Sequence, residues 1–301
     1  MLEWGSMKKL IIALIIIIII GVAGYFLFTR SSGEEFVSQT PDTQLKDIEE
    51  TPVVEEDGPI EVIGKSANNR DITAYHYGNG EKEVLFVGGI HGGYSWNTSL
   101  VSYELMDHLE NNPEVVPENV RVTVVPVLNP DGLSKVVDAT GKFSASDVDT
   151  TDTVPGRFNG NNVDLNRNFD CDWQTTGTWR EKQVDGGDSA FSEPESKAIK
   201  AYIEKNDPEA VVVWYSSAGG VFASSCHNGV LDETKTLTNI FADASGYPAF
   251  EEFDYYEITG DMVNWLAKEK IPAISVLLTN HRDTEWSKNR SGVEAILEYY
   301  R

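Results

Sequence analysis

The sequence predicts an α/β fold: a three-layer α/β/α sandwich around a mixed, largely buried sheet. Three observations predict it. Apolar segments of strand length alternate with segments whose apolar residues recur at helical spacing. Several of the strand segments are apolar throughout, as is typical of a sheet that helices cover on both faces. With 301 residues, 41% of them hydrophobic, the chain is long enough to bury a sizeable core.

The predicted elements follow one another from Gly58 onward. The alternating segments IEVIGKS and DITAYHYG predict a hairpin, and EVLFVGG predicts a short buried strand that ends in glycine. A helix, TSLVSYELMDHLENN, and a strand with a turn, NVRVTVVPVLNPDG, come next. In SEPESKAIKAYIEKN, Ser192 and Glu195 are three residues apart and predict a capping box at the start of a helix. The remaining segments are strand EAVVVWYSSAGG, helix GDMVNWLAKEK, strand IPAISVLLTN and helix EWSKNRSGVEAILEYY.

A separate apolar segment precedes this domain. Residues 10–28 carry no charge, and nineteen residues at about 1.5 Å each are long enough for a hydrocarbon core of about 30 Å. Lys8 and Lys9 precede the segment, which predicts a short cytoplasmic N-terminus, residues 1–9, with the rest of the chain outside. We therefore expect a single-pass anchor in the cell membrane; the alternative is a cleaved signal peptide.

The composition of the remaining chain limits its partners. Residues 29–57 are polar and acidic and predict a flexible linker between the anchor and the domain at 58–301. The net charge of −24 disfavours nucleic acid as a partner, because phosphates are repelled. Cys171 and Cys226 are the only cysteines. Outside the cytoplasm they can pair as a disulfide, although their positions in the sequence leave open whether they meet.

Polar residues follow several of the predicted strands. Ligands of open α/β sheets bind beyond the carboxyl ends of the strands, so four segments are expected to meet there: 88–95, 129–132, 216–220 and 277–281. Between the second and third lies GRFNGNNVDLNRNFDCDW, which is rich in asparagine and arginine. Guanidinium groups match carboxylates in two-point geometry, so this loop suits recognition of an anion.

Six of these motifs, taken together and in this order, carry a resemblance to a known family. They are GGIHGGYSWNT, PVLNPDG, RFNGNNVDLNRNFD, FSEPES, WYSSAGG and ISVLLTNHRDTEW. The domain resembles the zinc metallocarboxypeptidases of the carboxypeptidase A type over roughly residues 58–301. The resemblance implies a peptidase that releases C-terminal residues with the help of zinc.

The metal and catalytic positions of that family are mostly substituted in this chain. The resemblance places the first zinc ligand at His91 and the last at Ser216. The glutamate ligand falls at Ser95 in loops of this type, or at Tyr94 with the more usual spacing. The family's catalytic glutamate corresponds to Leu277. One histidine and two hydroxyls do not make the three-ligand site that catalytic zinc requires, so no cofactor is expected for the sequence as written.

The substrate-binding positions retain the family's residue types. The resemblance implies that Arg157 stabilises the oxyanion, that Asn166 and Arg167 grip the terminal carboxylate, and that Tyr256 closes over the substrate. Val263 weakly indicates an apolar floor for the side-chain pocket. The expected function is therefore binding of peptide or protein C-termini, cell-wall peptides included, without efficient hydrolysis.

Two alternatives stay open. One is an active zinc carboxypeptidase whose metal site has been rebuilt with His227 or His281; otherwise, these two histidines face solvent in loops. The other is an inactivated variant of an active enzyme.

Overall fold

The computed structural model describes residues 59–138, 141–148 and 150–301. The predicted N-terminus (1–9), anchor (10–28) and linker (29–57) lie outside the described residues. Within the described ranges, no helix has both the length and the apolar composition needed to cross a membrane.

A mixed sheet of eight strands forms the centre of the domain. Its strand order is β1-β2-β4-β3-β7-β10-β8-β9, and β5 and β6 form a separate hairpin. The central strands β4, β3, β7 and β10 are parallel. Strands β2 and β8 run antiparallel to β4 and β10, β1 pairs antiparallel with β2, and β9 pairs parallel with β8. The strands are β1 (Ile60–Lys65), β2 (Asp71–Tyr77), β3 (Lys82–Val87), β4 (Val120–Val125), β5 (Thr176–Trp179), β6 (Lys182–Asp185), β7 (Ala210–Ser216), β8 (Gly220–Ala223), β9 (Ala249–Phe250) and β10 (Ala273–Leu278).

Helices cover both faces of the sheet. They are α1 (Trp96–Asn111), the single turn α2 (Pro130–Leu133), α3 (Pro194–Asn206), α4 (Asp232–Ser245), α5 (Met262–Lys268) and α6 (Trp286–Tyr299). Helices α1, α4 and α6 share one hydrophobic cluster with the sheet, and α3 and α5 share the other. In β3, Val84 and Phe86 belong to the first cluster, and Leu85 and Val87 belong to the second. This alternation explains the apolar strands and confirms the three-layer sandwich.

The start of α3 differs from the sequence prediction. The helix begins at Pro194, and the predicted capping box of Ser192 and Glu195 does not form. The Glu195 carboxylate instead accepts hydrogen bonds from the backbone of Ala67 (3.0 Å) and from Asn159 Nδ2 (3.0 Å). Because these donors come from distant parts of the chain, the local motif could not indicate them. A proline at the first helical position, where its missing N–H is not needed, begins the helix instead.

Sequence reasoning missed helix α4, the β5–β6 hairpin and the short strands β8 and β9. Helix α4 buries Leu237, Phe241 and Ala242 at helical spacing. It is followed by Gly246, whose φ of +75° favours glycine. The β5–β6 hairpin is short and mostly polar, so its strand pattern is weak.

Candidate functional site

A cavity of about 720 Å³ opens at the carboxyl ends of β3, β7 and β10. Segments that follow or end these strands contribute His91, Ser216 and Leu277 to its wall, as the strand-end argument predicts. The segment at 129–132 does not line it. Instead, Asn129 Nδ2 donates to the backbone oxygen of Arg157 (3.3 Å) and supports the wall from behind.

The loop after β3 makes a tight turn that places His91 and Tyr94. Gly92 has a φ of +41°, and a Cβ on Gly93 would lie 2.5 Å from the Val136 side chain, so both positions require glycine. Tyr94 lines the cavity, whereas Ser95 is not among the described lining residues. Ser95 directly precedes α1, but its buried Oγ has no hydrogen-bond partner and caps no backbone N–H. Of the two positions that the resemblance allows for the glutamate ligand, the geometry favours Tyr94.

The His91 ring is buried and electrically neutral near pH 7. Its side chain is 6% exposed, and neither ring nitrogen has a hydrogen-bond partner, although Nε2 lies 3.4 Å from Asp164 Oδ1. Burial, together with the nearby Arg157 guanidinium, lowers the pKa of His91 to about 4, and Asp164 opposes this shift only in part. A buried imidazole with a free nitrogen is a competent metal ligand.

The other family positions offer little to a metal. Ser216 Oγ donates to Asn97 Oδ1 (3.2 Å) and lies 3.0 Å from His281 Nδ1, so its hydroxyl is already engaged. Leu277 is 8% exposed and presents only hydrocarbon to the cavity. Zinc prefers thiolate, imidazole and carboxylate ligands and needs three of them in a catalytic site. This donor set does not fit the ion.

His281 and His227 differ in their surroundings. His281 is partly buried against Tyr94, with ring centroids 4.5 Å apart, and burial together with Arg180 and Arg157 lowers its pKa to about 4. His227 is exposed at the rim, with Nε2 3.1 Å from Asp172 Oδ1. In the described part of the chain, one group of potential metal ligands is compact enough to hold an ion: Cys171, Asp172, Cys226 and His227. His91 and His281 do not belong to it.

Arg157 is held in place on the cavity wall by a buried ion pair. Its Nε and Nη2 lie 2.8 Å and 2.7 Å from Asp164 Oδ2, and its guanidinium lies 4.4 Å from the centre of the Trp179 ring in β5. Burial alone would raise the pKa of Asp164, but Arg157, with His91 and Arg167 nearby, holds that pKa well below its usual range. Asp164 occupies one edge of the guanidinium, which leaves other N–H groups for a ligand.

Asn166 and Arg167 lie at different depths. Asn166 lines the cavity, and its Oδ1 accepts from Tyr215 OH (3.1 Å) and from the backbone of Met262 (3.2 Å). With the oxygen fixed, the amide nitrogen is the group left for a ligand. Arg167 is 1% exposed and is not among the described residues that line the cavity. It donates to the backbone oxygens of Asn166 and Thr178, both at 2.6 Å.

Tyr256 lies on an aromatic and acidic loop at the cavity mouth. Its ring packs against Phe253 with centroids 5.0 Å apart and stands 5.9 Å from the Arg167 guanidinium. Carboxylates alternate with the aromatic residues in this loop, and three of them line the cavity: Glu252, Asp254 and Glu257. The structure thus brings Arg157, Asn166 and Tyr256 to one cavity, with Arg167 behind them.

Sequence reasoning missed Asp261, the residue before α5. The residue is 5% exposed and lines the cavity, and its Oδ1 has no hydrogen-bond partner. Burial raises its pKa to about 6, and Arg167 opposes the shift. A buried acceptor without a donor is costly unless a ligand supplies one. In the sequence, Asp261 reads as an ordinary helix cap, which it also is, because Oδ2 accepts from the backbone of Asn264 (3.4 Å).

The sequence leaves open whether the two cysteines pair, and the structure shows that they do. Cys171 and Cys226 are bonded, and both side chains are buried in the cavity wall.

Comparison with known proteins gives one family. A family model described as zinc carboxypeptidase matches residues 59–281. Human carboxypeptidase D is 32% identical over 120 residues, which are 36% of this chain and 8% of that protein, so the chain spans only a small part of that relative.

Two solved structures are similar in fold. Bovine thrombin-activatable fibrinolysis inhibitor, in complex with tick carboxypeptidase inhibitor, superposes with a TM-score of 0.62 at 16% identity. That match covers 80% of this chain and 87% of the other. The murein-tripeptide amidase MpaA of Escherichia coli O157 superposes with a TM-score of 0.54 at 21% identity, over 80% of this chain and 91% of the other.

Proposed function

The chain belongs to the zinc carboxypeptidase family, and from that premise we propose that its domain binds the C-terminal end of peptides whose last residue is basic, without hydrolysing them efficiently. The observation that carries this proposal is the composition of the cavity. It combines fixed donors for a carboxylate, Arg157 and Asn166, with a buried carboxylate that has an unpaired oxygen, Asp261.

The donors for the peptide carboxylate are rigid. Asp164 fixes the Arg157 guanidinium, and Tyr215 fixes the Asn166 amide. Arg167 adds positive charge behind Asn166 and, by its bond to the Asn166 backbone, holds that residue in place. Fixed donors lose little conformational freedom when they bind a ligand. Tyr256, at the mouth, is placed to cover the bound end of the peptide.

The preference for a basic last residue follows from the carboxylates. Asp261 lies in the cavity wall, and an ammonium or guanidinium group would satisfy its unpaired Oδ1. The carboxylates of Glu252, Asp254 and Glu257 surround the mouth and attract cations at longer range. This differs from the apolar floor that Val263 indicates in the sequence. Val263 also lines the cavity, where it can pack against the hydrocarbon stem of a lysine.

Weak hydrolysis is proposed on chemical grounds. Without a three-ligand metal site no metal lowers the pKa of a water near the scissile bond. Leu277 cannot accept a proton, and loss of a general base alone typically costs about 10²–10⁴ in rate. The alternatives are a rebuilt metal site and an inactivated variant of an active enzyme; both predict zinc-dependent chemistry, the second only after the family residues are restored.

The test uses the domain with a set of matched peptides. Binding is measured by calorimetry for peptides that end in lysine, in leucine, and in lysine amide. We expect the free lysine peptide to bind tightest, and the other two at least about tenfold more weakly, because each lacks one charge-assisted contact. Equal affinity for the free and amidated peptides would contradict the carboxylate site.

A release assay separates binding from catalysis. The same lysine peptide is incubated with the domain, with and without added Zn²⁺, and free lysine is measured over hours. No release above the peptide blank is expected. Release that depends on Zn²⁺ would support the rebuilt metal site instead.

The cellular setting is part of the same proposal. Residues 10–28 anchor the chain in the cell membrane, with the domain on the extracytoplasmic side, and the Cys171–Cys226 disulfide supports an oxidising location. Peptides of cell-wall material then become candidate ligands besides protein C-termini. Protease treatment of intact cells tests the orientation, since an extracytoplasmic domain is cleaved without lysis.

A further inference from the structure

The cavity wall carries a second set of metal-ligating side chains, away from the family's zinc positions. Cys171, Asp172, Cys226 and His227 each offer one ligand atom, and these four atoms lie within 4.8 Å of one another. The two sulfurs are joined as a disulfide, in which they are poor ligands, because the thiolate is the form that binds metal. We propose that reduction of this disulfide creates a site for one thiophilic divalent cation such as Zn²⁺.

The distances suit a tetrahedral site. Asp172 Oδ1 lies 3.1 Å from His227 Nε2, and Asp172 Oδ2 lies 3.8 Å from Cys171 Sγ. With Zn–S of about 2.3 Å and Zn–N of about 2.0 Å, neighbouring ligand atoms in a tetrahedral site are about 3–4 Å apart. The contacts of Asp172 are already in this range. The two sulfurs must separate, and reduction frees them to do so. The other ligand atoms need only small shifts, because all four lie within 4.8 Å of one another.

The burial and the backbone conformation of these four residues suit the binding of an ion that enters from solvent. The two cysteines are buried, whereas Asp172 and His227 are exposed, so an ion can enter from solvent and meet the thiolates below. Asp172 and His227 each directly follow one of the cysteines, and both have a positive φ, +52° and +54°. Residues other than glycine rarely adopt this conformation. In this conformation the side chains of Asp172 and His227 reach each other.

Charge favours a divalent cation at this place. Two thiolates and one carboxylate carry three negative charges, and a divalent ion leaves a single negative charge. Thiolate and imidazole ligands select Zn²⁺ over Mg²⁺ and Ca²⁺. The acidic residues of the same cavity, Glu252, Asp254 and Glu257 among them, raise the local concentration of cations.

A phosphine supplies the two electrons that reduce the disulfide. The phosphine takes an oxygen from water and becomes its oxide, while the disulfide takes two electrons and two protons and becomes two thiols. The cation then displaces both thiol protons and binds the two thiolates, the neutral His227 imidazole and the Asp172 carboxylate.

The test uses Co²⁺ as a spectroscopic substitute for Zn²⁺. The domain is titrated with Co²⁺ before and after reduction by a water-soluble phosphine. We expect the reduced protein to bind one Co²⁺, with a sulfur-to-cobalt charge-transfer band and the visible bands of a tetrahedral ion, and Zn²⁺ to abolish both. The oxidised protein should show neither. Reduced protein without these bands would overturn the proposal.

Variants distinguish the four-ligand site from a bare pair of thiols. His227→Ala and Asp172→Asn should each lower the Co²⁺ affinity of the reduced protein by about tenfold or more. The matched controls are His108→Ala and Asp170→Asn, which change a histidine and an aspartate that contact Glu294 and Lys268 outside the cluster. Unchanged affinity in both ligand variants would show that the thiols act alone and would also overturn the proposal. The ligand variants alter exposed side chains, and circular dichroism of the oxidised proteins checks their folding.

Discussion

At the scale of single residues, two buried carboxylates differ in charge: Asp261 in the cavity wall, and Asp164, which contacts Arg157 of that wall. Asp164 is ionised because Arg157 compensates it, whereas Asp261 has an unpaired oxygen and a pKa raised to about 6. The difference reflects their partners, because both carboxylates are almost fully buried. Asp164 is part of the structure whether or not a ligand is bound, while Asp261 is stabilised by a cationic ligand.

We expect Asp261→Asn to stabilise the fold and to weaken binding of the lysine-terminated peptide. The folded-state pKa is raised, so this group contributes stability below about pH 4 that is lost as the pH rises through about 6. Asparagine retains the helix cap and removes the buried charge, and we expect the free energy of unfolding at pH 7 to rise by about 3 kcal/mol. Urea denaturation measures it. An equal gain at pH 4 would argue against the charge as its cause.

The same variant gives a pH signature in binding. Affinity of the wild-type domain for the lysine-terminated peptide should fall as the pH drops from 7 to 5, because Asp261 takes up a proton near pH 6. Asp261→Asn should bind about tenfold or more weakly at pH 7 and lose this dependence. Asp188→Asn, at an exposed position outside the cavity, is the control.

Restoring the family residues tests the placement of the missing ligands. Tyr94→Glu with Ser216→His and Leu277→Glu should bind one Zn²⁺, since His91 then gains a carboxylate and an imidazole partner. The matched triple variant carries Ser95→Glu in place of Tyr94→Glu and should bind more weakly, because Ser95 does not line the cavity. Metal content after dialysis measures both. Tighter binding by the Ser95 variant would assign the ligand to Ser95.

At the scale of elements, α4 and α6 pack without room for an extra methyl group. A Cβ on Gly292 of α6 would lie 2.5 Å from the Phe241 ring of α4, and Phe241 is fully buried. The close approach of the two helices therefore depends on this glycine.

Gly292→Ala measures that packing. Alanine improves helix propensity by about 1 kcal/mol, but overpacking a full core typically costs about 1–3 kcal/mol. We expect a net loss of up to about 2 kcal/mol in urea denaturation. Ser287→Ala, at an exposed position of α6, should stay within about 0.5 kcal/mol. A more stable Gly292→Ala protein would mean that Phe241 moves aside at little cost.

The core strands are predictable from their apolar pattern, and α4, whose apolar residues also recur at helical spacing, was overlooked. Features held by distant contacts could not be read from the sequence. The strands β3, β7 and β10 are visible as apolar runs, because helices cover them on both sides. Asp261 was not predicted as a site residue because its role comes from burial beside Tyr215 and Arg167, which lie far away in the sequence. The depth of Arg167 could not be read from its motif either, since the hairpin residue Thr178 accepts its hydrogen bond.

At the scale of the whole molecule, the disulfide joins the loop after Asn166 to the loop that follows β8. A bridge across a sequence separation of 55 residues should stabilise the fold by about 2–4 kcal/mol, because it restricts the unfolded chain. We expect Cys171→Ala with Cys226→Ala to lower the free energy of unfolding by this amount, measured with urea. Wild-type protein in phosphine reductant should show a similar loss. A loss below about 0.5 kcal/mol would mean that packing alone holds the wall.

The order of strands also affects how the protein folds. At the centre of the sheet, Val84 of β3 pairs with Ala210 of β7. These neighbouring strands are far apart in the sequence. Such pairings close long loops and are slow to form. His91, Ser216 and Leu277 meet only after β3, β7 and β10 have assembled, and no single segment of the chain contains the cavity. A fluorescent lysine-terminated peptide added during refolding would therefore report the last stage of folding, later than circular dichroism reports the helices.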